Sequence, residues 1–268
     1  MKKIIFKKTE REELKLWVYD EAVFDQNQKR TALIWIHGGG WNSGDPDFFG
    51  DDYDYFTKQG AVCFGVEYSL ISKNETDIYG RQLKNALQDC IDAVMYVKGH
   101  NAEYGIDPER IVIIGESAGG HLALCFATDI VGKINPNALP KAVVAYNPVV
   151  ETIAKWSGDC AVTNGERLSV EDFYNRYKSL KAFSPRNNIV KNGIPLLLLQ
   201  GIEDKCVYPG DVVDFYEKYL AVGNVAEIEL YPNTSHAFAL PFWYDNDRIS
   251  LNKSLDTVND FLKKHKLL

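Results

Sequence analysis

The sequence lacks several things, and each absence excludes a class of protein. Its five cysteines (Cys63, Cys90, Cys125, Cys160 and Cys206) are odd in number, widely spaced and form no C-x-x-C pair. That argues against a disulfide framework and against a zinc knuckle. No apolar run is long enough to span a bilayer. The basic start, MKKIIFKKTEREE, holds only Ile4 to Phe6 as an apolar stretch, too short for the core of a signal peptide. Positive charge is in deficit: 30 Lys and Arg against 37 Asp and Glu give a net charge of −7. Such a chain has no basic footprint for nucleic acid or anionic lipid. There is no internal repeat and no low-complexity tract. The expectation is a soluble cytoplasmic protein whose partner is a small molecule, not nucleic acid or a membrane. Its oligomeric state is not written in the composition.

What is present is a sizeable core and a regular alternation. Hydrophobic residues make up 46% of the 268 residues. KIIF (Lys3–Phe6) and LKLWVY (Leu14–Tyr19) read as two strands joined by a charged turn. ALIWI (Ala32–Ile36) and AVCFGVEY (Ala61–Tyr68) are continuous apolar runs, the pattern of strands buried on both faces. Between Ile78 and Lys98, Leu83, Leu87, Ile91, Val94 and Val97 recur at spacings of four and three, the buried stripe of a helix. Strand Ile111–Ile114, a helix from Ala118, and strand Ala142–Tyr146 follow. Then come strand Ile194–Gln200, helix Asp211–Ala221, strand Ala226–Tyr231 and a closing helix from Arg248 to Lys264. Strands alternating with helices specify βαβ units, and so an α/β, mostly parallel, doubly wound sheet. One segment, Glu151 to Asn192, breaks the alternation. It contains a short helix from Val170 to Leu180, with Ser169 and Asp172 spaced as a capping pair. It is expected to be a small lid-like insertion (about 151–192) over the sheet edge, within a single domain of residues 1–268.

The most informative stretch is GESAG, Gly115 to Gly119, with a strand before it and a helix after it. A serine placed there sits on a sharp strand-to-helix turn that lifts its hydroxyl above the sheet. The flanking glycines are needed because side chains would collide with the neighbouring strand and helix. A serine hydroxyl is a weak nucleophile at neutral pH and needs a base. Of five histidines, His37 is beside three glycines, His100 lies in a polar turn, His121 is one turn beyond Ser117, and His265 is in a lysine-rich tail. His236 follows the last strand, where this architecture brings a base back over the serine. Asp204 follows the IPLLLLQ strand and would orient the imidazole and stabilise its charged form. Its neighbour Glu203 is taken as solvated. The chain order Ser117, Asp204, His236 is that of the α/β-hydrolases. HGGGW, His37 to Trp41, directly follows the ALIWI strand and supplies backbone N–H donors for an oxyanion. Gly39 and Gly40 are the expected donors, with Ala118 after the nucleophile, while His37 is expected to fix the loop by hydrogen bonding.

With these residues in place, the chain resembles the α/β-hydrolase esterases of the hormone-sensitive-lipase and acetyl-esterase branch. The resemblance is carried by HGGGW, DPERIVIIGESAGGHLA, FSPRNNI…GIPLLLLQGIEDKCVYP and NTSHAF, from about Ala32 onward. Where relatives often carry an arginine after the tyrosine of the second core strand, this chain has Tyr68-Ser69. The resemblance implies serine carboxylic-ester hydrolysis through an acyl-enzyme, without a cofactor, usually on short acyl chains. Relatives include sugar deacetylases, feruloyl esterases and N-formylkynurenine hydrolases. An amide hydrolase, whether a formamidase or a peptidase, is therefore the rival within enzymes, and a non-catalytic ligand receptor on the same fold is the rival outside them.

Four further side chains are candidates for substrate contact: Trp41, Glu116, Trp156 and Trp243. The aromatic run Phe242, Trp243 and Tyr244 follows His236 and would suit a sugar or aryl group. DPDFFGDDYDYF (Asp45–Phe56) is rich in aspartate but lacks EF-hand spacing, so it is read as a loop and an acidic helix start rather than a metal site.

Overall fold

A computed structural model describes residues 1–20, 29–71, 82–152, 162–163, 166–167, 169–240 and 248–268. Its strands are β1 (Lys2–Lys8), β2 (Glu13–Tyr19), β3 (Arg30–Ile36), β4 (Val62–Val66), β5 (Ile106–Glu116), β6 (Ala142–Tyr146), β7 (Val162–Thr163), β8 (Glu166–Arg167), β9 (Leu196–Gly201) and β10 (Ala226–Tyr231). Its α-helices are α1 (Gly50–Lys58), α2 (Leu83–Gly99), α3 (Ala118–Ala127), α4 (Asp129–Ile134), α5 (Val170–Ala182), α6 (Pro209–Ala221) and α7 (Arg248–Lys264).

Eight strands form one sheet in the order β1-β2-β4-β3-β5-β6-β9-β10, and β7 and β8 form a small separate hairpin. β1 and β2 run antiparallel to each other, and β2 runs antiparallel to β4; from β4 to β10 every pairing is parallel. This is the mostly parallel α/β sheet expected from the alternation. The continuous apolar runs have a direct cause. In β3, Ala32, Ile34 and Ile36 face a core shared with α2, α3 and α6, whereas Leu33 and Trp35 face a second core shared with α1 and α7. A strand covered on both sides has no solvent face, so it carries no polar alternation.

Helix α2 buries Leu83, Leu87, Ile91, Val94 and Val97, the stripe that its spacing defines. The part of that expectation covering residues 78–81 lies outside the described residues. Ser169 caps α5 by accepting a hydrogen bond from the Asp172 N–H. Asp51 and Asp52 fall in the first turn of α1, where the helix dipole favours negative charge.

Two strand boundaries need adjustment. The second core strand stops at Val66 rather than Tyr68. Glu67 turns back to accept hydrogen bonds from the Lys15 N–H (2.9 Å) and the Trp17 indole (2.8 Å), and Tyr68 turns inward. The strand before the serine starts at Ile106 rather than Ile111, with a register irregularity between Arg30 and Ala32 opposite it. The segment expected as a lid, about 151–192, lies in the crossover between β6 and β9, which are neighbours in the sheet. It is anchored by Thr152 Oγ1, which donates to the Leu180 carbonyl (2.6 Å), and by the Arg186 N–H, which donates to the Val150 carbonyl (3.0 Å). Among the described residues, no helix is long and apolar enough to cross a membrane.

The approach of α3 to β3 is close enough to exclude a side chain. A Cβ on Gly119 would overlap the backbone carbonyls of Ile36 and His37, whereas one on Gly132 in α4 meets only the Asp129 carboxylate at 3.7 Å. Gly132→Ala is therefore expected to leave the protein as stable or raise its stability by up to about 1 kcal/mol through helix propensity. Gly119→Ala should lower it by about 3 kcal/mol or more, because backbone cannot yield as a side-chain tip can. Denaturant midpoints of the two variants check this; equal stability would contradict the packing of α3 on β3.

Candidate active site

Ser117, Asp204 and the HGGGW loop lie at the carboxyl ends of β5, β9 and β3, and His236 follows β10, on the side where an open α/β sheet leaves room for a ligand. Ser117 joins β5 to α3 with φ 54° and ψ −113°, a backbone conformation in which a non-glycine residue is strained. Two bonds hold it there: its N–H donates to the Tyr146 carbonyl (2.8 Å), and its carbonyl accepts from the His121 N–H (2.9 Å). A Cβ on Gly115 would overlap the Gly119 carbonyl, so the two glycines of the pentapeptide make the reversal possible jointly.

The structure brings Ser117, His236 and Asp204 together. His236 Nε2 lies 2.8 Å from Ser117 Oγ, and His236 Nδ1 lies 2.7 Å from Asp204 Oδ2. Asp204 Oδ1 accepts the N–H groups of Cys206 and Val207, each at 2.8 Å. The Gln200 amide donates to Oδ2 at 3.1 Å. Burial alone would raise the Asp204 pKa, but the hydrogen bond and charge of His236, with the two backbone donors, outweigh it and hold the group below its ordinary value. An ionised carboxylate that only accepts fixes the proton on Nδ1, and so leaves Nε2 as the acceptor facing the Ser117 hydroxyl. Glu203, the neighbour in sequence, is exposed, whereas Asp204 is buried.

The HGGGW loop is braced from below. His37 is buried, and its Nδ1 lies 2.8 Å from the Gly38 carbonyl. Its ring stacks on Tyr68 at 4.4 Å, and the Tyr68 hydroxyl donates to the His37 carbonyl (3.0 Å). Burial lowers the His37 pKa to about 4, so the ring is neutral at neutral pH. Gly39 and Gly40 take φ of 97° and 62°, which orient their peptide groups as L residues rarely do. Ala118 is the first residue of α3, so its N–H has no partner within the helix.

The four candidates for substrate contact fare differently. Trp41 is 2% exposed and sits in the core, its indole N–H donating to His121 Nδ1 at 3.3 Å. His121 Nε2 in turn lies 2.8 Å from the Phe183 carbonyl at the end of α5. This chain of contacts ties the glycine loop to the crossover segment. Glu116 is buried beside the serine, with Oε1 3.8 Å from His236 Nε2. Room for it exists because Gly38 has no Cβ; one would overlap Glu116 Oε2. Trp156 and Trp243, with Phe242 and Tyr244, lie outside the described residues.

Sequence reasoning missed Gln200 as a partner of Asp204. The signal was present: it is the only polar side chain in the buried strand β9, LLLLQG. Among the described residues, one group of His, Cys, Asp or Glu donors lies close enough to hold a metal ion, and it is Asp204, Cys206 and His236.

A family model described as BD-FAE matches residues 22–219 of the chain. An ethyl acetate hydrolase of Pseudomonas putida is 25% identical over 220 residues, 78% of this chain and 66% of that protein. An acetylxylan esterase of Xylanibacter ruminicola is 24% identical over 222 residues, 82% of this chain and 43% of that protein. The chain thus spans between about a quarter and two thirds of the length of the curated relatives it matches. Among solved structures, Thermogutta terrifontis esterase 2 with butyrate bound superposes with a TM-score of 0.82 at 27% identity, over 100% of this chain and 95% of that one. The same esterase has also been solved phosphorylated by paraoxon.

Glu116 generates a pH prediction. Burial, with a smaller contribution from the Asp204 charge, raises its pKa from 4.5 to about 7, against the opposing pull of His236. The folded chain therefore holds this proton to higher pH than the unfolded chain does. Stability attributable to Glu116 is highest below about 4.5, falls as pH rises through about 7, and stays lost above it. Glu116→Gln should abolish that component. The difference in unfolding free energy, wild type minus variant, is expected to decline across the interval, and a flat difference would refute the assignment.

Proposed function

The chain belongs to the BD-FAE family and has the α/β-hydrolase fold; on that premise we propose that it is a serine ester hydrolase acting on short-chain acyl esters, with Ser117, His236 and Asp204 as its catalytic triad. The observation that carries this reading is His236, which is hydrogen-bonded at once to Ser117 Oγ (2.8 Å) and Asp204 (2.7 Å). In this mechanism His236 takes the Ser117 proton as Oγ attacks the ester carbonyl. The resulting oxyanion is held by the N–H groups of Gly39, Gly40 and Ala118. Collapse expels the alcohol, which receives its proton from His236. Water then adds to the acyl-enzyme with His236 again as base, releasing the acid and restoring the serine. Asp204 keeps the imidazole in the productive tautomer and balances its charge, and Gln200 keeps Asp204 oriented.

Support for the ester bond comes from relatives named as an ethyl acetate hydrolase and an acetylxylan esterase, and from a structural neighbour solved with butyrate. The paraoxon-phosphorylated form of that neighbour supports a reactive nucleophile of the serine type on this fold. The reading favours acetyl to butyryl groups because the segment expected as a lid, about 151–192, is short. Long alkyl chains gain about 0.8 kcal/mol per CH₂ only where the protein buries them. The acetylxylan esterase relationship makes acetylated sugars the first alcohols to test, alongside aryl esters.

Ser117→Ala is expected to fold normally and lose hydrolysis of p-nitrophenyl acetate by about 10⁴-fold or more. A fluorophosphonate probe should label the wild type and spare the variant; equal labelling would remove Ser117 from the reaction. Asp204→Asn should cost on the order of 10⁴ in kcat by favouring the wrong tautomer, and Glu203→Gln should cost little. The reverse ranking would reassign the acid.

A chain-length series with one leaving group should peak between acetyl and butyryl and fall steeply by octanoyl. A maximum at octanoyl or beyond would replace the short-chain reading with that of a lipase.

A further inference from the structure

The turn that positions the candidate acid also places a thiol beside it. Asp204 Oδ1 accepts the Cys206 N–H, so residues 204–207 wrap around the carboxylate, and the Cys206 side chain comes close to both Asp204 and His236. One ligand atom from each of Asp204, Cys206 and His236 lies within 4.8 Å of the other two. Asp204 is buried, His236 half-buried and Cys206 exposed, so the group runs from the interior to the surface at the cysteine. A cleft of about 290 Å³ lined by Val149, Glu151, Cys206, Val207, Tyr208 and Asp211, among others, opens at the thiol. The charged residues that line it are Glu151, Asp211 and Lys205.

We propose that Asp204, Cys206 and His236 form an inhibitory binding site for a thiophilic divalent cation of the Zn²⁺ type. One carboxylate oxygen, one thiolate and one imidazole nitrogen make a three-donor set with an open fourth position for water, and zinc accepts all three donor types. With bonds of about 2.0–2.3 Å, tetrahedral donors stand roughly 3.5 Å apart. The three donors reach that spacing through a modest inward rotation of the exposed Cys206 side chain. Asp204 and His236 separate slightly from their 2.7 Å contact.

The consequence follows from the protons. The thiol gives up its proton to solvent, and the metal takes the Nδ1 position of His236. The imidazole stays neutral and carries its single proton on Nε2 instead. Nε2 then donates toward Ser117 Oγ and cannot accept the hydroxyl proton, so the base is lost without any change in the fold. This differs from a metal cofactor: the cation competes with the Asp204 hydrogen bond that the reaction uses. The inhibitory half of the proposal rests on the reading of His236 as the base; the binding half rests on the three donors alone.

The test separates the two halves. For binding, Co²⁺ is titrated into the Ser117→Ala variant, which keeps all three donors. A thiolate-to-cobalt charge-transfer absorption is expected, and it should vanish when Cys206→Ser is added. For inhibition, hydrolysis of p-nitrophenyl acetate by the wild type and by Cys206→Ser is followed against ZnCl₂. Each rate is normalised to the same enzyme in EDTA. The wild type should be inhibited reversibly, and the Cys206→Ser variant should need at least about tenfold more Zn²⁺. Even an outer-shell change costs a zinc site that much, and here a ligand is lost. Absence of the cobalt band refutes the site. A band without inhibition, or equal inhibition of both enzymes, refutes the inhibitory role. A wild type with no esterase activity would leave the cobalt result standing and would count against the functional reading instead.

Discussion

The geometry of the whole site depends on one backbone reversal. At Ser117 the chain leaves β5 with a positive φ and enters α3 within a single residue. That reversal is strained for serine, and only surroundings that fix it from several sides can sustain it. Gly115 and Gly119 remove the side chains that would collide with α3 and with the carbonyls of β3. The Tyr146 carbonyl at the end of β6 holds the Ser117 N–H. Two neighbouring strands thus press on the turn, and the hydroxyl is left above the sheet with little freedom. Freedom lost before substrate arrives is not lost again in the reaction, which is the physical sense of a pre-organised site.

The same reversal sets the positions of the other parts. Because α3 packs so tightly against β3, the loop that follows β3 must pass directly beside the serine. His37, stacked on Tyr68, stiffens that loop, and Trp41 ties its far end to His121 on α3. His121 reaches on to Phe183, so the crossover after β6 is referenced to the helix that carries the serine. Burial keeps both His37 and His121 neutral, with pKa values lowered to about 4. Neutral rings can brace the loop without adding charge near a developing oxyanion. His37 and His121 are buried and brace the loop, whereas the half-buried His236 contacts the serine.

Charge around His236 is asymmetric. Asp204 accepts from His236, Gln200, Cys206 and Val207, which is why it remains ionised despite its burial. Glu116, on the other side of the imidazole, faces the opposite balance, and its proton is retained up to about 7. Two carboxyl groups near one imidazole are therefore driven apart in pKa by their surroundings, Asp204 downward and Glu116 upward.

The sequence by itself determined the fold class and the parts of the candidate site. Continuous apolar strands such as ALIWI can satisfy both faces only inside a two-sided sheet, and the glycines of GESAG have little use outside a strand-to-helix turn. The order Ser117, Asp204, His236 and the capping pair Ser169–Asp172 were legible for the same reason: each is a local pattern with one physical use. Tertiary structure alone decided the rest. Trp41 looks in sequence like a pocket residue, yet its indole is buried on His121, since the direction of a side chain after a positive φ is set by what packs against it. Gln200 reads as the end of a strand until Asp204 folds back over it. Glu116 reads in sequence as a candidate for substrate contact, and only the missing Cβ of Gly38 makes a space in which it is buried. That β6 and β9 are neighbours was likewise decided only in the fold, because strand order is a property of long-range pairing that no local pattern in the chain encodes.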